Sequence, residues 1–501
     1  MLATKRISGF LVFTLLVVLL SSCGPEFEKR RSYLFKEPLR NQYHFSPVSG
    51  WMNDPNGLVF YAGVYHLFYQ HYPADKVWGP MHWGHAVSTD LLNWQHKPIA
   101  LYPDSSGYIF SGSAVADLNN VTGFAASGKV PLVAMFTYHD PKGEQAGKID
   151  FQSQAIAYSL DSGKSWSQYN GNPVIKNPGI RDFRDPKLFR WEKENAWLMA
   201  LAVKDHVEFF KSENLKNWEK LSEFGKDLGA HGGVWECPDF FTLNDEHGRT
   251  KWVLLVSINP GGPQGGSATQ YFIGDFDGKQ FVAQDTVTRW IDFGADNYAG
   301  VTWSGIPEGD GRKLFIGWMS NWQYANAVPE QGWRSSLTLP REIKMVKQAE
   351  SYNLKFSPAR EIEKLLGESS HIQGSFDLSG PGNLIEINGL EGKETKITLS
   401  NKKKEQLIIA VGDGKVSIDR KNSGTVGFND KFPALHSGSL KGMVVKNLKI
   451  FLDAASVEVF VNDGDLVMTD VFFPTTPMSS VEIDGATAGA TIRSISSVWI
   501  K

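Results

Sequence analysis

His82-Trp83-Gly84-His85-Ala86-Val87-Ser88, followed by Asp90 and then Trp94, alternates apolar and polar positions, turns, and lands on an aromatic ring. Alternation with period two, bounded by turn residues, is the signature of a strand. The pattern recurs as Ala155-Ile156-Ala157-Tyr158-Ser159 with Asp161 and Trp166, and as Val207-Glu208-Phe209-Phe210-Lys211-Ser212 with Asn214 and Trp218. It recurs again as Tyr271-Phe272-Ile273-Gly274-Asp275 with Gly278 and Phe281. Successive aromatics lie 72, 52 and 63 residues apart. Familiar propeller blades run about 40–50 residues, so four-stranded blades with longer loops fit this spacing. Four units require a ring of at least that number, and five blades fill residues 40–341. A β-sandwich with recurring turns is the competing reading.

Composition changes after Pro340-Arg341-Glu342. Residues 342–371 are charged and partly helical in period, which reads as a connector. Beyond Ile372 the sole tryptophan is Trp499. There, Val457-Glu458-Val459-Phe460-Val461 alternates before Asn462-Asp463-Gly464, a strong hairpin signal. Short strands of this kind over residues 372–501 suggest a sandwich. The expected class is all-β: a five-bladed β-propeller followed by a C-terminal β-sandwich.

The 501 residues, 42% hydrophobic and 21% charged, describe a chain able to bury large cores. Its 51 basic and 54 acidic side chains leave a formal net charge of -3, which argues against a nucleic-acid partner. The two cysteines, Cys23 and Cys237, supply no disulfide framework. Sixteen Trp, 31 Phe and 15 Tyr leave aromatic faces to spare for a flat or ring-shaped ligand. At the start, Lys5 and Arg6 precede an apolar run from Phe10 to Leu20 that suits an export signal but is too short to span a bilayer. Leu20-Ser21-Ser22-Cys23 resembles a bacterial lipobox. The expectation is a signal peptide over 1–22, lipidation at Cys23 and a polar tether over 23–39. That would give an exported, membrane-anchored lipoprotein, periplasmic or on the cell surface, touching the membrane only through its anchor.

Three acid-bearing motifs stand out. Trp51-Met52-Asn53-Asp54-Pro55-Asn56-Gly57 sets Asp54 between two amides, with proline and glycine shaping the turn. Phe183-Arg184-Asp185-Pro186 repeats the acid before proline, beside a guanidinium. Trp235-Glu236-Cys237-Pro238-Asp239 sets a glutamate between an aromatic and a thiol. Placed on matching strands of different blades, these acids converge on the propeller axis, an arrangement suited to glycosidic bond chemistry. No His/Cys ligand spacing accompanies them, and neither a nucleophile elbow nor a phosphate loop is present, so no metal or cofactor is called for.

On these motifs the chain resembles glycoside hydrolase family 32, the β-fructofuranosidases. Phe110-Ser111-Gly112-Ser113, Gly317-Trp318-Met319-Ser320-Asn321-Trp322 and Trp333-Arg334 to Pro340-Arg341-Glu342 carry it too, over about residues 40–500. The resemblance implies Asp54 as nucleophile, Glu236 as general acid/base and Asp185 as a stabiliser of the transition state that binds fructose hydroxyls. It also implies substrate contacts from Asn53, Gln70, Trp78, Phe110, Ser111, Arg184, Tyr298 and Trp318. Arg184 is expected to hold down the pKa of Asp185, and Cys237 to shape the pocket as a buried neighbour. Ser335 departs from the glycine that many relatives carry after Trp-Arg.

The implied reaction releases terminal β-D-fructofuranosyl units from levan- or inulin-type fructans, and from sucrose, through a covalent fructosyl-enzyme with retained configuration. A fructosyltransferase, an inverting arabinan-type propeller hydrolase and an inactive fructan-binding lipoprotein are the alternatives.

Overall fold

A computed structural model describes residues 35–499, apart from 127, 349, 441 and 486–488. The expected signal peptide and Cys23 lie outside these residues. Among the described residues, five sheets of four or five strands follow one another along residues 50–358. Their first strands are Gly50–Tyr61, Tyr108–Ala116, Phe183–Trp191, Val234–Asn244 and Tyr298–Thr302. Each packs against the next, and the fifth packs against the first, so the first strands line the axis of a closed five-bladed propeller. The fifth blade also lends Trp333–Arg334, which pairs parallel with Gly50–Trp51 and fastens the ring.

The repeat in the sequence turns out to be the connection between the third and fourth strands of a blade. Ser88 Oγ donates to Asp90, and the Trp94 indole N–H donates to the Leu91 carbonyl at 3.1 Å. Ser159, Asp161, Gly163 and Trp166 repeat this arrangement, as do Ser212, Asn214, Leu215 and Trp218. The aromatic thus seals its own turn by satisfying a buried carbonyl.

The stretch expected to be a partly helical connector requires correction. Arg341–Gln348 and Ser351–Pro358 are the third and fourth strands of the fifth blade. Ile343, Met345, Leu354 and Phe356 are buried at period two, while Lys344 and Lys355 occupy the alternate positions, and Lys347 is exposed near the strand's end; together they lend the segment its charged look. Among the described residues of this stretch, helical structure is confined to the 3-10 turn Arg360–Leu365.

Beyond it, two six-stranded antiparallel sheets face each other. Ile385, Ile450 and Val459 of one sheet meet Ile397, Ile409 and Ile418 of the other in one buried core. The expected hairpin at Asn462-Asp463-Gly464 joins Ser456–Val461 to Leu466–Val471, with positive φ at all three residues. Glycine is needed at 464: a Cβ there would lie 2.1 Å from the Phe356 carbonyl of the last blade.

One irregularity recurs around the axis. In every first strand, two residues oppose one on the neighbouring strand. Asn53-Asp54 face Gln70, Phe110-Ser111 face Thr137, and Asp185-Pro186 face Leu201. Cys237-Pro238 face Val256 and Ala299-Gly300 face Gly317. Such bulges kink a strand and re-aim its side chains. Asp185, Cys237 and Ala299 reach this geometry with φ of 66°, 45° and 51°, in the left-handed region that costs a non-glycine residue energy. The motifs that stood out in the sequence sit at these bulges.

Candidate active site

The bulges of the first three blades deliver Asp54, Ser111 and Asp185, and the residue beside the fourth bulge delivers Glu236, to one cavity of about 450 Å³. Asp54 is gripped from three sides. Asn53 Nδ2 donates to Oδ1 at 3.0 Å, while Ser111 Oγ and the Cys237 thiol donate to Oδ2 at 2.8 and 3.5 Å. Asn53 is itself fixed by the Trp51 indole at 2.7 Å. Asp185 Oδ2 accepts the Cys237 backbone N–H at 3.0 Å and lies 3.6 Å from its sulfur. Cys237 therefore bridges two of the three acids, a larger part than that of a space-filling neighbour. Glu236 takes two donors: Arg184 Nη2 reaches Oε1 at 3.0 Å and the Tyr298 hydroxyl donates to Oε2.

Crowding three carboxyls into a low-dielectric funnel makes ionisation costly. Burial, then the charge of Glu236, raises the Asp54 pKa to about 6, against the pull of its Asn53, Ser111 and Cys237 donors. Burial raises Asp185 to about 7; Arg184 opposes this, while Glu236 and Asp54 add to it. Burial also pushes the Cys237 thiol well up, with Asp185 and Asp54 adding to the effect, so Cys237 stays a neutral donor. Arg184, 3.9 Å from Asp185 Oδ2, does pull the Asp185 pKa down as expected, but burial outweighs it. Its hydrogen bonds go to Glu236, Asp182 and Gln152.

Asn53, Gln70, Trp78, Phe110, Ser111 and Arg184 all line the cavity. Gln70 Nε2 is buried without a hydrogen-bond partner, a donor left free at the wall. Trp78, 38% exposed, stands at the rim, edge-on to Phe110. Tyr298 reaches the site from behind through its hydroxyl. Trp318 does not face the cavity: it is fully buried, packed against Trp322 and Tyr298, and Trp322 supplies the wall instead. Sequence reasoning also passed over His139, Glu144, Phe151 and Arg181. The Glu144 carboxylate pairs with His139 at 3.1 Å and with Arg181 at 3.0 Å, joining the second blade to the segment before Asp185. Ser335 has φ 78°, a backbone that glycine adopts without strain, and donates its N–H to Glu330 at 2.8 Å.

Residues 44–358 match the Glycosyl hydrolases family 32 N-terminal domain, and residues 346–500 match the Glycosyl hydrolases family 32 C terminal. The chain belongs to glycoside hydrolase family 32. Its membership makes it a glycosidase and agrees with the propeller-plus-sandwich architecture. Within the family, it is 44% identical to a levanase of Bacillus subtilis over 98% of this chain and 74% of that one. The exo-inulinase structure from Aspergillus awamori superposes with a TM-score of 0.84 at 35% identity, covering 93% of this chain and all (100%) of that one. A fructofuranosidase from Schwanniomyces occidentalis complexed with fructose gives a TM-score of 0.80 at 32% identity, covering 92% and 99%.

Proposed function

We propose that this family 32 chain is a retaining β-fructofuranosidase that removes terminal fructosyl units from levan- or inulin-type fructans and from sucrose. The observation that carries the reading is the convergence in one cavity of Asp54 and Asp185, from the bulges of two blades, and Glu236, from the position next to the bulge of a third. Asp54 attacks C2 of the fructosyl unit as Glu236 protonates the departing oxygen. Positive charge grows on the furanose ring, and the Asp54 and Asp185 carboxyls at the cavity are placed to offset it. Arg184 and Tyr298 stabilise the carboxylate that Glu236 becomes once its proton is gone. That carboxylate then deprotonates the water that releases fructose.

Likeness to a levanase and an exo-inulinase favours terminal cleavage of fructans. A product time course on levan, inulin and sucrose tests it. Fructose alone supports the reading, an oligosaccharide ladder replaces exo with endo action, and growing chains at high sucrose indicate transfer. Proton NMR of the first-formed anomer tests retention, and early inversion would remove Asp54 from the nucleophile's role. Asp54→Asn should abolish fructose release.

Membrane attachment through Cys23 is part of the same proposal. Lys5 and Arg6, the apolar run and Leu20-Ser21-Ser22-Cys23 support it. Mass spectrometry of the mature N-terminus decides it: a diacylglyceryl-modified Cys23 is the expected species.

A further inference from the structure

Tyr298, which donates to Glu236, begins where a segment bound to the other domain ends. Residues 292–297 lie along the sandwich strand Leu466–Val471. Phe293 N–H donates to Val467 O at 2.8 Å and Asp296 N–H to Thr469 O at 3.0 Å. Ala295 N–H donates to Asp470 Oδ1 at 2.9 Å. In return, the Thr469 N–H and hydroxyl donate to Asp292 at 2.8 and 2.6 Å. Gly294 fits so closely that a Cβ would lie 2.1 Å from Thr469 O.

At the end of this seam Asp296 is fully buried. It accepts from Arg420 Nη1 at 2.7 Å, from the Tyr324 hydroxyl at 2.6 Å and from Val471 N–H at 2.9 Å. Arg420, in the sandwich, is also fully buried. Its other donors reach Phe432 O at 2.8 Å, Val471 O at 3.1 Å and the Tyr324 hydroxyl at 2.9 Å. Asp470 lies 4.0 Å from Arg420 and pairs with His436 at 2.8 Å. Buried charge pays heavily in lost hydration, and apolar residues of similar volume often hold two surfaces together as well or better. What hydrogen-bonded charges add is a single fixed geometry. Asp296 is two residues from Tyr298, so that geometry is passed directly to the hydroxyl on Glu236.

We propose that Arg420 of the sandwich is a positioning residue for catalysis: through Asp296 it sets Tyr298, and through Tyr298 it sets Glu236. The inference rests on Glu236 being the acid/base. Misplacing a catalytic group by about 1 Å can cost about 100-fold in rate. Arg420→Lys shortens the grip on Asp296, and Tyr324→Phe removes one donor with little change of shape. Each is expected to lower kcat about 10-fold with KM changed less than about 3-fold, and to move the alkaline limb of the pH profile in the direction that Tyr298→Phe moves it.

The decisive arm combines each variant with Tyr298→Phe. If Arg420 acts through Tyr298, the double variants lose little beyond the single Tyr298→Phe. Val459→Ala, which opens the sandwich core elsewhere, controls for loosening; it should lower Tm and leave the pH profile in place. Additive losses with Tyr298→Phe, a lowered Tm with unchanged kcat and pH profile, or a Val459→Ala profile shifted like that of Arg420→Lys would each overturn the proposal. Glu236→Gln separates the two readings. Retained activity there removes the catalytic assignment itself, however the Arg420 variants behave.

Discussion

The backbone N–H of Cys237 donates to the Asp185 carboxylate at 3.0 Å, and both residues hold positive φ at the bulges of neighbouring blades. Two backbone distortions are thus tied by one hydrogen bond, and the acid's direction is set by the chain as well as by its own rotamer. Asparagine tolerates left-handed backbone at least as well as aspartate does, and its carbonyl can still accept from Cys237. Asp185→Asn should therefore fold normally, with Tm nearly unchanged, while kcat falls about 100- to 1000-fold through loss of charge at the transition state. Asp185→Val, β-branched at the same φ, should lower Tm as well. Thermal melts beside steady-state kinetics check both.

Ser111 holds Asp54 towards its ionised form, against burial and Glu236, which raise its pKa to about 6. Removing the hydroxyl lets the pKa rise further. The acid limb of kcat/KM should lie between about pH 6 and 7 in the wild type, where Asp54 and Asp185 lose their protons, and move higher in Ser111→Ala. A limb that stays in place, or falls towards 4, would contradict the assignment.

Trp78 stands at the rim, 38% exposed, and makes no hydrogen bond to the acids. It should bind the sugar equally in ground and transition states. Trp78→Ala is expected to raise KM about 10-fold with kcat within about 2-fold. A fall in kcat instead would place the ring against the reacting sugar.

His44 is buried between Asp453 at 2.7 Å and Glu458 at 2.9 Å in the sandwich. Burial opposes its charge, but the two carboxylates outweigh burial and raise its pKa from 6.5 to about 9. The folded state therefore keeps this proton to higher pH than the unfolded chain does. The stabilisation is complete below pH 6.5 and is lost as pH rises to about 9. The wild-type advantage over His44→Gln should shrink by on the order of 3 kcal/mol between pH 6 and pH 9.5, read from denaturant melts.

Three blades were visible in the sequence because their third turn repeats a chemistry: Ser, Asp or Asn, and a tryptophan that closes on a carbonyl; the fourth showed through the same strand-and-turn spacing, ending on Phe281. The fifth hid because its last two strands meet in a tight hairpin after Gln348 with no such turn. Asp54, Asp185 and Glu236 were legible because a bulge needs unusual neighbours, and Pro55, Pro186 and Pro238 are those neighbours. Glu144 and Arg181 were not, because they meet across blades and nothing local marks the meeting. Trp318 misled for a related reason. An aromatic cluster containing Trp51, Trp318 and Trp322 reads alike at every position, and only the packing tells which ring faces outward.

Each bulge holds one surplus residue, and deleting a single position would let the two strands pair one to one again. Dropping Phe110 or Ser111 opposite Thr137, for example, would leave the ladder complete while turning the remaining side chain away from the cavity. A one-residue change of length at any of these five points is cheap for the ladder and ruinous for the chemistry. When family 32 sequences are aligned, spacing at the five points is informative before residue identity is, and a gap there marks a chain that kept its shape and gave up its reaction.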